Sequence, residues 1–106
     1  DDMIDTGSRL VNAAKMAKQN GAFRVFVFAT HGIFSDDALM RIDECDELDE
    51  VFVTNTIYPP RILLNNPSES LECDKLSYVS IGPILAEAIR RIQIRNSLSS
   101  MTNIDV

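Results

Sequence analysis

The chain has 106 residues and a formal net charge of −6, with an isoelectric point near 4.6. A chain of this length can bury one modest hydrophobic core, so we expect a single domain over residues 1–106. The acidic balance argues against a surface for nucleic acid or an anionic membrane, because both need clustered Lys and Arg. The apolar runs are far shorter than a membrane span, and we expect a cytoplasmic protein with two free cysteine thiols.

The first eight residues combine three carboxylates, two hydroxyls and one glycine directly before a helical pattern. The N–H groups at a helix N-terminus are unpaired and carry a partial positive charge, so a phosphate can dock around Gly7 and Ser8. The carboxylates suit sugar hydroxyls or Mg²⁺. The octet therefore points to a sugar-phosphate site, although Asp-Thr-Gly-Ser is also typical of an ordinary N-cap, which the octet alone favours.

The next stretch predicts a helix followed by a buried strand. Residues 9–20 place Leu10 and three alanines at helical spacing, and Gly21 provides the stop. Residues 23–30 form a nearly continuous apolar run, which predicts burial on both faces of a parallel sheet. His31 follows at the carboxyl end of this strand, and we interpret it as a hydrogen-bonded loop histidine rather than a catalytic base.

The later elements repeat this alternation of helix and strand. Ser35 and its neighbours predict the cap of a short helix, and Pro59 with Pro60 ends the regular structure after the next strand. We predict a helix at 37–43, strands at 51–53 and 76–81, a surface loop at 61–74, a helix at 84–94 and a polar tail at 96–106. The pattern indicates an α/β fold with a parallel sheet flanked by helices. A loop such as the octet normally follows a buried strand, so we expect a fragment of a longer chain.

Five stretches carry a resemblance to one family: Asp-Asp-Met-Ile-Asp-Thr at 1–6, Thr-His-Gly-Ile-Phe-Ser at 30–35, Val-Thr-Asn-Thr at 53–56, residues 85–92, and Ser97-Leu98-Ser99. In this order they resemble the ribose-phosphate pyrophosphokinases, also called phosphoribosyl pyrophosphate synthetases. The acidic loop occurs in other phosphoribosyltransferases too, whereas the four later motifs are specific to the synthetases. The resemblance implies the type I phosphoribosyltransferase fold and identifies the chain as the C-terminal, phosphoribosyltransferase-like part of such a protein.

The resemblance also implies the activity. Members transfer pyrophosphate from ATP to ribose 5-phosphate, giving phosphoribosyl pyrophosphate and AMP for nucleotide biosynthesis, and they assemble into homo-oligomers, commonly hexamers. This chain would supply the sugar half, with ATP bound mainly by residues before Asp1, so alone it should not catalyse. The implied ribose 5-phosphate site comprises Asp1 and Asp2, which hold the ribose hydroxyls or their Mg²⁺, and Asp5, Thr6, Gly7, Ser8 and Arg9 around the phosphate.

Two departures from the family pattern leave alternatives open. The pattern Asp-Thr-x-Gly-Thr is replaced here by Gly7, Ser8 and Arg9 after Asp5-Thr6. Ser97 and Ser99 resemble a pair that helps form an allosteric site in regulated members, but the usual aromatic residue after them is missing. The main alternative is a non-catalytic regulatory relative, and a salvage phosphoribosyltransferase is the third possibility. The intact carboxylates of the octet favour the enzyme.

Overall fold

The computed structural model describes residues 1–58 and 73–102. These residues form three helices and five strands. The elements are β1 (Met3–Ile4), α1 (Ser8–Gln19), β2 (Phe26–Ala29), β3 (His31–Gly32), α2 (Ala38–Glu44), β4 (Glu50–Thr54), β5 (Leu76–Val79), α3 (Gly82–Gln93) and a 3₁₀ turn, Ser99–Thr102. Most of the predicted loop at 61–74 and the last four residues of the predicted tail lie outside the described residues.

All strand pairs in the described part of the chain are parallel. One sheet has the order β2–β4–β5, with Phe28 opposite Phe52, and a second, two-stranded sheet pairs β1 with β3. Because parallel neighbours need crossover connections, α1 lies between β1 and β3 in the chain, and α2 lies between β2 and β4. The predicted α/β class with parallel pairing is confirmed.

Helix α1 begins and ends one residue earlier than the predicted 9–20, and Gly21 follows its C-cap residue Asn20 with φ +94°. That conformation suits glycine, because it is left-handed. Leu10 and Ala14 are buried, whereas Ala13, predicted to share their stripe, is exposed. The buried stripe of α1 is therefore narrower than its alanine content suggests.

Helix α2 also forms where predicted, and its Ala38 and Ile42 are completely buried. The predicted side-chain cap is wrong, since Asp37 occupies the N-cap position without a side-chain hydrogen bond. The Ala38 N–H instead bonds the backbone carbonyl of Ser35 at 3.1 Å. The first turn of α2 is thus closed by the backbone.

The core lies on one face of the three-stranded sheet. Helices α1 and α2 cover the side chains of Val51 and Val53 and their neighbours on that face. On the opposite face Phe26 and Phe28 are 46% and 65% exposed, so the prediction that β2 is buried on both faces is wrong. The physical reason is that the described helices with buried side chains pack on the other face, leaving the Phe28 and Phe52 rings stacked mainly on each other at 5.0 Å.

Helix α3 begins with Gly82 and Pro83 and carries no buried residue. Its predicted apolar face forms as a stripe, yet that stripe is exposed: Ile84, Leu85, Ile89 and Ile92 each show more than half of their surface. Within the described residues, no helix has the length and apolar character needed to cross a bilayer.

Candidate functional site

The octet, residues 1–8, contains a short strand and is therefore not a loop throughout. Met3 and Ile4 are the strand β1, which pairs with His31 and Gly32. The His31 N–H donates to the Asp2 carbonyl at 2.8 Å, and the Ile33 N–H donates to the Ile4 carbonyl at 2.9 Å. The irregular part of the octet is therefore confined to its two ends, and the second end is the three-residue turn 5–7 before α1.

Gly7 is the N-cap residue of α1 and adopts φ +81°, a left-handed conformation that L-residues rarely tolerate. Its carbonyl accepts the Val11 N–H at 3.0 Å, and no side chain caps the helix. The ordinary N-cap reading of the octet is therefore wrong. The N–H groups of the first turn have no intrahelical acceptor, so they are suited to an anion.

The turn is held from α2. The Nη1 of Arg41 donates to the Thr6 carbonyl oxygen at 2.8 Å, and the Ser35 N–H donates to the Asp5 carbonyl oxygen at 3.0 Å. The hydroxyl of Thr6 lies 3.5 Å from that of Ser8, so both point to the same side of the turn. Sequence reasoning missed Arg41, since a single arginine on a short helix carries no local signal of its long-range partner.

A cleft of about 660 Å³ opens beside this turn. Five predicted site residues line it, namely Asp1, Asp5, Thr6, Gly7 and Arg9, whereas Asp2 and Ser8 do not. Apolar side chains that include Leu10 and Val27 complete the wall. The cleft thus combines carboxylates, a hydroxyl, a guanidinium and the uncapped end of α1.

The donor set for Mg²⁺ is limited to exposed carboxylates. Asp1 and Asp2 are both exposed, and an Asp1 carboxylate oxygen accepts the Asp2 N–H at 2.8 Å. Mg²⁺ is commonly held by one or two carboxylates together with substrate phosphates and water, so these oxygens fit the ion. Among the described residues, no cluster of three or more His, Cys, Asp or Glu side chains could enclose a metal.

His31 lies at the carboxyl ends of the strands, near the acidic end of the chain. Its Nδ1 is 2.6 Å from the hydroxyl of Thr56, which follows β4, so the predicted hydrogen bond is confirmed, but His31 lies in strand β3 and not in a loop. The Thr54 hydroxyl donates to the Thr30 carbonyl at 2.5 Å, and the Thr30 N–H contacts the Asp1 carbonyl at 3.4 Å. The polar residues that follow two neighbouring strands in the sequence form this cluster.

Ser97 and Ser99, which follow α3, lie together, with their hydroxyl oxygens 2.8 Å apart. The Arg91 side chain donates to the Ser97 carbonyl at 3.0 Å and to the Ser100 hydroxyl. Hydrogen bonds from Arg90 and then Arg91 lower the pKa of the Glu87 carboxyl to about 2. The C-terminal end of α3 is thus a small network of arginine, carboxylate and hydroxyl groups.

Comparison with known proteins places this geometry in a family context. Residues 1–103 match the profile described as phosphoribosyl synthetase-associated domain. The chain is 46% identical over 99 residues to human phosphoribosyl pyrophosphate synthase-associated protein 2, covering 93% of this chain and 25% of that protein. It is also 46% identical over 101 residues to ribose-phosphate pyrophosphokinase of Haemophilus ducreyi, covering 95% and 29% of the two chains.

A solved structure shares the fold. The crystal structure of phosphoribosylpyrophosphate synthetase from Mycobacterium smegmatis matches with a TM-score of 0.73 and 38% sequence identity. The match covers 91% of this chain and 29% of that one. The chain therefore spans between a quarter and a third of the length of these relatives.

Proposed function

This chain belongs to the phosphoribosyl synthetase-associated domain family, and we propose that it forms the sugar-phosphate half of a ribose-phosphate diphosphokinase active site. The chain is then the C-terminal part of that enzyme, which transfers pyrophosphate from ATP to the anomeric hydroxyl of ribose 5-phosphate. The observation that carries the proposal is the uncapped N-terminus of α1 beside a cleft that contains carboxylates. That combination matches a ligand with a phosphate at one end and hydroxyls at the other.

In this proposal the 5-phosphate binds at the turn. The first-turn N–H groups of α1 and the Thr6 hydroxyl donate to its oxygens, and the Arg9 guanidinium in the cleft adds a positive charge. Asp5 also lines the cleft, but its carboxylate and the phosphate are both anions and repel each other. We therefore assign the Asp5 carboxylate to ordering the loop and not to contact with the phosphate. Ser8 extends the hydroxyl set on the same side as Thr6.

In the same proposal, Asp1 and Asp2 bind the ribose hydroxyls or their Mg²⁺. Carboxylate oxygens accept bonds from vicinal hydroxyls, which fixes the sugar in position for attack on the β-phosphorus of ATP. Mg²⁺, when bound, supplies neutralisation of the phosphate charge that develops in such transfers. Placement of the sugar is the contribution of this chain, and the ATP site comes from outside it.

A second candidate function is that of a non-catalytic regulatory subunit. Its support is specific: the human associated protein and the Haemophilus pyrophosphokinase share the same 46% identity with this chain. The substitution of Gly7, Ser8 and Arg9 into the family's phosphate pattern points the same way. In this alternative the fold and the subunit contacts persist while the chemistry is absent.

The proposal extends to assembly and regulation. We propose a cytoplasmic homo-oligomer, as in the resembled family, with an allosteric site that includes Ser97 and Ser99. Support for the allosteric site comes from their adjacent hydroxyls and the nearby Arg91 side chain, a donor set suited to phosphate. The missing aromatic residue after Ser99 makes the response to phosphate and ADP the property to measure.

The test is AMP formation from ATP, ribose 5-phosphate and Mg²⁺ by the full-length protein that carries this sequence. The variant Asp1→Asn, Asp2→Asn removes two charges at the proposed sugar site, and we expect activity to fall by roughly two orders of magnitude, as for loss of substrate positioning. The matched control, Asp36→Asn with Asp37→Asn, removes two exposed charges outside the cleft and should keep activity.

Two outcomes contradict the enzyme. Equal activity in both double variants would show that the acidic pair does not position the sugar. A folded wild-type protein without AMP formation at saturating substrates would favour the regulatory subunit, which would instead change the activity of a co-assembled catalytic relative.

A further inference from the structure

The strand β3 and the residues after it hold the sugar-phosphate loop through its backbone. Along this segment the N–H groups of His31, Ile33 and Ser35 donate to the carbonyls of Asp2, Ile4 and Asp5, at 2.8, 2.9 and 3.0 Å. The Phe34 N–H also donates to the Ile4 carbonyl, at 3.2 Å, so the segment is bonded along its length to residues 2–5, which lead into the turn. Displacement of the segment would carry the loop with it.

This segment is conformationally strained. Phe34 has φ +55° and Asp36 has φ +54°, both in the left-handed region that residues with a Cβ seldom adopt. Gly32 is confined as well, since a Cβ there would lie 2.4 Å from the Phe34 ring. Strained backbone persists only where the surroundings fix it in place, and such strain concentrates at functional sites.

Two side-chain contacts join the start of this segment to the carboxyl end of β4: the Thr54 hydroxyl donates to the Thr30 carbonyl at 2.5 Å, and the His31 side chain contacts Thr56. The His31 Nδ1 bonds the Thr56 hydroxyl at 2.6 Å, and Thr56 follows β4. The single proton of Thr56 can be donated to the Thr30 carbonyl at 3.3 Å. The Nδ1 of His31 and the Thr56 hydroxyl share one hydrogen bond, in which either group can be the donor.

We propose that His31 is a positioning residue for the sugar-phosphate loop, acting through its Nδ1 bond to Thr56. The bond joins the small sheet β1–β3 to the carboxyl end of β4, so it sets where β3, and with it the loop, lies relative to the main sheet. The ligand named in this inference rests on the proposed function. The mechanical link itself rests on the contacts alone.

Four variants of the full-length protein test the link. His31→Asn keeps an amide near the position of Nδ1, whereas His31→Gln carries its amide to the position of Nε2. Thr56→Ser keeps the hydroxyl, and Thr56→Val removes it at nearly constant volume. The readouts are the KM for ribose 5-phosphate, the KM for ATP, the urea midpoint, and amide hydrogen exchange of residues 2–7.

We expect His31→Gln and Thr56→Val to raise the KM for ribose 5-phosphate roughly tenfold, the ratio that corresponds to loss of one hydrogen bond. The KM for ATP should stay within about twofold, since ATP binds elsewhere, and His31→Asn and Thr56→Ser should resemble wild type. The double variant His31→Gln, Thr56→Val should be no weaker than Thr56→Val alone, because Thr56→Val already removes the bond that His31→Gln removes, together with the bond to the Thr30 carbonyl.

Hydrogen exchange separates failure of this inference from failure of the proposed function. If wild type neither binds nor uses ribose 5-phosphate, the proposed function fails, yet faster exchange of residues 2–7 in His31→Gln but not in His31→Asn still supports the link. Unchanged exchange in His31→Gln overturns the link. Equal increases in both KM values with a lowered urea midpoint overturn it too, because they indicate a general structural role.

Discussion

Replacement of Gly7 by alanine tests whether backbone conformation builds the phosphate turn. An L-residue in the left-handed region costs about 1–2 kcal/mol. The added Cβ would lie 3.6 Å from the Ala38 carbonyl oxygen, an ordinary van der Waals distance, so no clash adds to this figure. We therefore expect Gly7→Ala to lower the free energy of unfolding by about 1–2 kcal/mol, measured by urea denaturation.

Gly21 supplies the matched control at the other end of α1. It has φ +94°, and a Cβ there would meet no atom within 4 Å, so Gly21→Ala introduces the same type of backbone strain away from the cleft. The two variants should lose similar stability. Only Gly7→Ala should also weaken ribose 5-phosphate binding, measured by calorimetry on the full-length protein, because only Gly7 lines the cleft.

Two results would refute this reasoning. A loss above about 3 kcal/mol in Gly7→Ala would mean that packing, rather than backbone conformation, limits the site, since strain alone does not reach that value. Equal weakening of ligand binding in both variants would mean that affinity follows global stability and that the turn has no local role.

Three further predictions concern the rest of the chain. Hydrogen bonds from the two arginines that follow on α3 lower the pKa of Glu87 from its usual value near 4.5 to about 2, so its stabilising effect is present above pH 4.5 and is lost as the pH falls toward 2. The difference in Tm between wild type and Glu87→Gln should accordingly shrink over that range. Arg95, which follows the C-cap residue Ile94 of α3, has φ +58°, where glycine is usual, so Arg95→Gly should raise the free energy of unfolding by about 1 kcal/mol while Arg95→Ala should not. The Lys75 ammonium donates to the carbonyls of Cys45 at 2.6 Å and Ile42 at 3.4 Å at the end of α2, and Lys75→Met should cost about 1 kcal/mol in urea denaturation.

Sequence patterns predicted the elements well where local signals decide them. The helical spacing of Leu10 and the alanines, with the stop at Gly21, predicted α1 to within one residue at each end, and the strand predicted at 51–53 lies within β4. The exposure of Phe26 and Phe28 could not be predicted from local signals. Apolar composition indicates that a strand can be buried, but it does not show which element covers it. The sequence of an apolar strand or helix face is therefore the same whether or not another element covers that face.

The candidate site likewise has features that depend on local sequence and features that depend on long-range contacts. The residue types of the octet are a local property that the sequence shows directly, whereas the absence of a side-chain cap on α1 was not predicted. The contacts that hold the turn are long-range: Arg41 reaches Thr6, and His31 reaches Thr56, each across about 25 to 35 positions of the chain. No periodicity encodes such pairs, so their partners became visible only in three dimensions.

The geometry also bears on the choice between enzyme and regulatory subunit. The resembled phosphate pattern places its glycine where this chain has Ser8, which raised the possibility of a lost site. In the structure the left-handed position is Gly7, while Ser8 is the first residue of α1, where a Cβ is compatible with the helical backbone. The turn therefore keeps its glycine where the conformation demands one.

What remains is whether the Ser8 side chain obstructs the ligand, and Ser8→Gly decides this. Because Ser8 does not line the cleft, we expect removal of its side chain to leave the affinity for ribose 5-phosphate within about threefold of wild type, the loss of one exposed hydrogen bond at most. Arg9→Gln is the comparison, since Arg9 does line the cleft and its loss should weaken binding more. A gain of tenfold or more in Ser8→Gly would instead show that serine blocks the approach of the phosphate to the backbone. That gain would make the substitution itself the reason for a regulatory rather than a catalytic role.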